Sequence, residues 1–128
     1  MKIINRKEFL QMPNSTLFMK ASPEFGDFDM CFPAGELMIK EESLSNDFVY
    51  SDFVDIDCSH SDEFFYKIAA MRNEKLDIPV SCNETSRDGI FDDSELYIVF
   101  SKEDIKTMVE KLMECYQAFD LHYPNNTI

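Results

Sequence analysis

A chain of 128 residues and 15.0 kDa is one domain's worth of sequence, long enough to hide about two-thirds of its unfolded surface. With 45% hydrophobic and 13% aromatic residues, including 12 Phe and 5 Tyr, it has the apolar mass of a globular protein, which excludes general disorder. Its 12 Lys and Arg against 25 Asp and Glu give a formal charge of −13 and a pI near 4.4, a field that repels phosphate backbones and anionic lipid and so excludes generic nucleic-acid coating and membrane-surface adhesion.

No internal repeat, low-complexity tract or Pro/Gly-rich linker interrupts the sequence, so residues 1–128 read as a single domain. Asn5 caps a short helical turn, with Glu8 in the capping-box position and Phe9, Leu10 and Met12 on its apolar side, until Pro13 ends it. Pro13-Asn14-Ser15 then turns into a strand over Thr16-Leu17-Phe18-Met19. From Ser22 to Phe32 the aromatics Phe25, Phe28 and Phe32 follow no period among Pro23, Gly26, Asp27 and Asp29, the pattern of an irregular loop with buried rings. Pro33-Ala34-Gly35 leads into a second strand, Glu36 to Lys40, and a polar loop covers Glu41 to Asn46.

Residues 47–57 alternate, with Phe48, Tyr50, Val54 and Ile56 on one face and Ser51, Asp55 and Asp57 on the other, the clearest β pattern in the chain. Ser59 and Ser61 offer hydroxyl caps to a helix running to about Lys75, with Asp62 and Glu63 in its first turn and Phe64, Ile68, Met71 and Leu76 as its buried stripe. Pro79 stops any continuation, and Ser81 to Asp93 is polar and rich in turn residues. Leu96-Tyr97-Ile98-Val99-Phe100 is a continuous apolar run, as expected of a central strand covered on both faces. Ser101 caps the last helix with Asp104 at its third position, and Ile105, Met108, Val109, Leu112, Met113, Tyr116 and Phe119 fall at helical spacing. This order does not alternate as a doubly wound fold would. The predicted class is α+β: a small, mainly antiparallel sheet with two main helices and a short N-terminal helical turn.

Cys31, Cys58, Cys82 and Cys115 lie 27, 24 and 33 residues apart without a Cys-x-x-Cys pair, and read as reduced thiols, mostly in the core. Charges occupy the first residues where a signal peptide needs its apolar stretch, so the expected location is the cytoplasm, and the Asn-x-Ser/Thr matches at Asn14, Asn83 and Asn125 are accidents of composition. Asp55-Ile56-Asp57-Cys58-Ser59 imitates the start of a calcium loop, but His60 stands where Gly is needed and Tyr66 where Glu is needed, and no Cys/His pair has zinc-finger spacing. No metal, no cofactor and no catalytic set is expected, with a Cys58 or Cys82 dyad with His60 the one nucleophilic arrangement the residue types allow.

Two constellations carry a binding function. The first is the run from Glu41 to Glu63, whose eight acids, Glu41, Glu42, Asp47, Asp52, Asp55, Asp57, Asp62 and Glu63, are interrupted by no Lys or Arg. It is either a solvated face that keeps the protein soluble or a surface that imitates nucleic acid and enters a partner's basic groove, with Asp47, Asp52, Asp55, Asp57 and Asp62 as the contacts. The second is the loop Ser86-Arg87-Asp88-Gly89, where a lone Arg among acids, beside a Gly that permits a tight turn, either holds a phosphate or carboxylate or pins the loop through an Arg–Asp pair. Lys20 and Lys40, each closing a strand, and Tyr50 as a stacking face complete this candidate ligand site. The apolar side of the last helix, with Met108, Met113 and Tyr116 beyond a minimal stripe, offers a homodimer face.

Blocks along the chain, from Ile4-Asn5-Arg6-Lys7-Glu8-Phe9-Leu10 and Thr16-Leu17-Phe18 through Leu37-Met38-Ile39-Lys40 and Asn46-Asp47-Phe48-Val49-Tyr50 to Ser86-Arg87-Asp88-Gly89-Ile90-Phe91-Asp92 and Leu96-Tyr97-Ile98-Val99-Phe100, resemble a family of small, largely uncharacterised tailed-bacteriophage proteins. The resemblance covers about residues 4–112. It implies a counter-defence protein working without catalysis in the host cytoplasm, of a class that includes sponges for cyclic nucleotide signals and acidic inhibitors of host nucleases. Sequestration of a small cyclic nucleotide near Arg87 is the expected activity, and inhibition of a nucleic-acid-handling defence protein by the acidic run is the alternative.

Overall fold

The computed structural model describes residues 1–22, 32–33, 35–123 and 125. The irregular loop predicted after Ser22, with Phe25 and Phe28, and Cys31 beside it, lies outside them. Contacts divide the chain into two compact units, Ile3–Val99 and Met1–Lys2 with Phe100–Ile128. The sheet has the strands β1 (Lys2–Asn5), β2 (Thr16–Ser22), β3 (Phe32–Pro33), β4 (Met38–Leu44), β5 (Asp47–Asp52), β8 (Thr85–Arg87) and β9 (Leu96–Val99), in the order β1-β9-β2-β4-β5-β8 with β3 added to β2. β6 (Asp55–Ile56) and β7 (Val80–Ser81) form a separate antiparallel pair, and the helices are α1 (Arg6–Leu10), α2 (Ser61–Asn73) and α3 (Lys102–His122). The mainly antiparallel α+β class expected from the sequence is the one observed. Among the described residues, no helix is long and apolar enough to cross a membrane.

The single turn of α1 plugs the sheet. Asn5 accepts from the Glu8 N–H at 2.8 Å while the Glu8 carboxylate takes the Asn5 N–H, the capping box the sequence foretells. This fixed turn drives Phe9 against rings from three strands: Tyr97 stacked at 4.1 Å, Phe18 at 4.6 Å and Phe48 at 5.0 Å. Ile4, Met38 and Val99 close the cluster. β9, flanked by β1 and β2, buries Tyr97, Ile98 and Val99 in succession, as a strand covered on both faces must.

Several expected boundaries move. β4 runs through Glu41 and Glu42 to Leu44, where a loop was expected, because a bulge between Lys40 and Ser43 lets the strand continue past the acids and Ser45, at a φ of 59°, makes a two-residue hairpin with Asn46. The alternation over residues 47–57 is broken in the structure: β5 ends at Asp52, the Phe53 N–H turns to the Leu37 carbonyl, and Val54 is exposed. In α2 the cap is neither serine but His60, whose Nδ1 accepts from the Glu63 N–H at 3.2 Å. Its expected stripe is shallow. Ala70 alone is buried, and Leu76 falls beyond the helix end, where Lys75 takes a left-handed φ of 57°. The polar stretch after Ser81 holds β8, an edge strand whose three residues are exposed and so leave no hydrophobic signal. Nor are the described thiols core: Cys58 is half-buried, and Cys82 and Cys115 are exposed and free.

Candidate functional site

Strand register sets the site. Thr16 pairs with Lys40, Lys40 with Tyr50 and Tyr50 with Ser86, so these side chains share one face in a row across β2, β4, β5 and β8. Phe18 pairs with Met38 and Met38 with Asp52 in the next row, and Lys20 faces Tyr97. α1 covers this face, and the loop after β8 closes its end.

At that end the structure builds a neutral cluster of three cations and three carboxylates. Arg6, 2% exposed, donates to Tyr97 Oη at 2.8 Å, to the Asn46 carbonyl at 2.7 Å and to Asp88 at 3.3 Å. The other oxygen of Asp88 meets Lys20 Nζ at 2.6 Å, and Lys20 also pairs with Glu95 at 2.8 Å. Arg87 places Nε and a terminal nitrogen 3.1 and 3.0 Å from one oxygen of Asp47, whose second oxygen accepts the Gly89 N–H at 3.0 Å. Gly89 has a φ of 65°, a backbone conformation favourable to glycine, and it is this turn that aims the amide at Asp47. Burial alone would raise the Asp47 carboxyl; the Gly89 and Phe48 amides and the Arg87 guanidinium hold it below its ordinary value. Lys20 feels the same balance from the basic side, its burial outweighed by Asp88 and Glu95, so its affinity for a proton rises.

The candidate ligand residues are therefore partly united. Lys20, Tyr50, Ser86, Arg87, Asp88 and Gly89 gather at one end of the sheet, but their charges answer one another. Lys40 belongs elsewhere: it is 1% exposed, its Nζ donates to the Met12 carbonyl at 2.9 Å, and burial lowers its pKa. A buried ammonium on a backbone carbonyl is not a surface contact for ligand, which corrects the expectation for Lys40. Asp47 leaves the acidic face for a similar reason, being fully buried under Arg87 and Gly89. The sequence gives no sign that Arg6 and Tyr97 take part, whereas Glu95 stands among the acids that surround Arg87. Arg6 sits in a helix-capping block and Tyr97 in an apolar run, and only the fold brings residue 6 to residues 88 and 97.

Beside the cluster, Lys20, Gly35, Glu36, Met38, Tyr50 and Asp52 line a cleft of about 350 Å³. Asp52 stands within hydrogen-bonding reach of Glu36 on one side and Asp55 on the other. Partial burial and these two like charges push it up to about 6. Asp57 and Asp62 are exposed, and Asp52, Asp55, Asp57 and Asp62 have no Lys or Arg partner among the described residues. The cleft thus offers carboxylate acceptors and an aromatic ring, and its lone ammonium is already paired.

His60 spends Nδ1 on the α2 cap, and burial followed by the Glu63 charge pushes the Cys58 thiol up, away from a thiolate nucleophile. No group of three or more His, Cys, Asp or Glu among the described residues is disposed to hold a metal ion. No protein-family profile, curated protein or solved structure matches the chain.

Proposed function

We propose that this is a non-catalytic binding protein whose acidic surface, centred on Glu36, Asp52, Asp55, Asp57 and Asp62, occupies the basic groove of a nucleic-acid-handling partner, of the host-defence kind that the bacteriophage-like sequence blocks imply. The carrying observation is where the cations go. All 12 Lys and Arg lie among the described residues; Arg6, Lys20, Lys67, Arg87 and Lys111 are held in ion pairs and Lys40 is buried, which leaves six to face an excess of carboxylates. A surface so depleted of positive charge presents a nearly single-signed field, which speeds association with a basic groove and makes it salt-sensitive.

With Arg6, Lys20 and Arg87 all held in ion pairs, the charge cluster offers a phosphate no unpaired cation among the described residues. Sequestration of a small cyclic nucleotide is the second reading, favoured by the Arg87 side chain, which stays 61% exposed despite its pairing. One experiment separates the two. The parent and a variant carrying Asp52→Lys, Asp55→Lys and Asp57→Lys are tested for capture of bacterial lysate proteins at low salt, for release at high salt, and for competition with nucleic acid on whatever is captured. Parent-only, salt-reversible capture that blocks nucleic-acid binding is expected. Equal capture by both proteins would remove the acidic-surface reading, and nucleotide recovered from the purified parent but not from Arg87→Ala would install the other.

A further inference from the structure

α3 carries a second pattern inside its apolar stripe. Ile105, Val109, Leu112, Tyr116 and Phe119, with Tyr123 at the C-cap, are separated by alternating steps of four and three residues, the spacing that keeps one seam aligned along a left-handed pair of helices. No residue of this 21-residue helix is buried, and Val109, Leu112 and Tyr116 are 53%, 54% and 72% exposed. An exposed seam of this kind admits many occupants, but the flanking charges select one. Beside the seam on one edge stand Lys106, Met113 and Asp120, symmetric about Met113, with opposite charges at equal distances from it. Neither Lys106 nor Asp120 is ion-paired among the described residues.

We infer that α3 pairs antiparallel with α3 of a second copy of this chain about a two-fold axis near Met113 and Glu114. In antiparallel helix pairs the same edge of each helix meets itself, so Lys106 of each copy faces Asp120 of the other, twice by symmetry, and Met113 faces Met113. The seam then stacks Leu112 on Tyr116, Val109 on Phe119 and Ile105 on Tyr123, each layer formed twice. A parallel pair sets this edge against the other one, which holds Met108, Cys115 and His122, and gives Lys106 no carboxylate. Sliding the antiparallel pair by one heptad also separates Lys106 from Asp120. Charge complementarity therefore specifies the orientation and the register together. Antiparallel packing also sets the acidic first turn, Glu103 and Asp104, near His122 of the opposite helix end.

Sedimentation equilibrium of the full chain tests the pairing, with far-UV circular dichroism confirming that each variant keeps its helix. The parent is expected to sediment as two chains at about 100 µM, and Lys106→Asp or Asp120→Lys alone to raise the dimer dissociation constant about tenfold or more, since each creates two like-charge pairs. Combining Lys106→Asp with Asp120→Lys restores the opposite pairing and is expected to return the constant to near the parent value. A parent that sediments as one chain throughout this range would overturn the inference. So would a dimer indifferent to the single swaps, or one that the double swap fails to rescue.

Discussion

Asp47 shows how much one carboxylate can organise. It sits fully buried, yet it answers Arg87 and the Gly89 amide directly and lies 3.8 Å from Arg6. Removing it leaves the Gly89 amide without its acceptor and Arg6 with Asp88 as its remaining carboxylate, a loss of about 1–3 kcal/mol, because Arg87 at 61% exposure returns to water. Asp47→Ala is accordingly expected to lower the unfolding free energy by that much, read as a lower urea midpoint at unchanged slope, while Asp47→Asn, which keeps an acceptor for Gly89, costs less. Asp52 behaves in the reverse sense. It holds its proton more tightly folded than unfolded, so its contribution to stability is complete below its ordinary value of 3.8 and is lost as pH rises through about 6. Asp52→Asn is expected to stabilise the protein at pH 8 by about 1 kcal/mol, discounted for partial exposure, and to change nothing at pH 4. Urea titrations of parent and variant at the two pH values check this.

At the scale of elements, legibility followed how locally each signal is written in the sequence. α1 and α3 announce themselves because caps and apolar positions sit within a few residues of each other, and both capping boxes form as read. β9 is legible because burial on both faces demands an unbroken apolar run. β8 is not, since an edge strand of Thr-Ser-Arg is held by hydrogen bonds to β5 and needs no apolar residue. The candidate site divides the same way. Arg87, Asp88 and Gly89 stand out as a charged loop, whereas Arg6 reads as a helix residue and Asp47 as surface acid, their burial being decided by strands 40 or more positions away. α1 also gives the sharpest test of packing: Phe9 touches rings on three strands, so Phe9→Ala should destabilise by about 3–5 kcal/mol, measured by thermal or urea unfolding.

Across the whole molecule, the strand order places the last strand inside the sheet. β9 lies between β1 and β2, and Tyr97 within it is the stacking partner of Phe9 and the hydroxyl partner of Arg6. A ribosome that has released only the first 90 or so residues has therefore made α1, β2, β4 and β5 but not the strand that joins them. Until Leu96 to Val99 emerge, the side of β2 that β9 will occupy has no strand, Phe9 lacks its stacking partner and Arg6 lacks the Tyr97 hydroxyl. Such a topology defers closure until β9 has been made, and its long-range pairings put it among the slower folders of its size, in the millisecond-to-second class rather than the microsecond one. The nascent chain must spend that interval with an open β edge, and its many acids, repelling other copies of itself, are what keep that edge from finding the wrong neighbour.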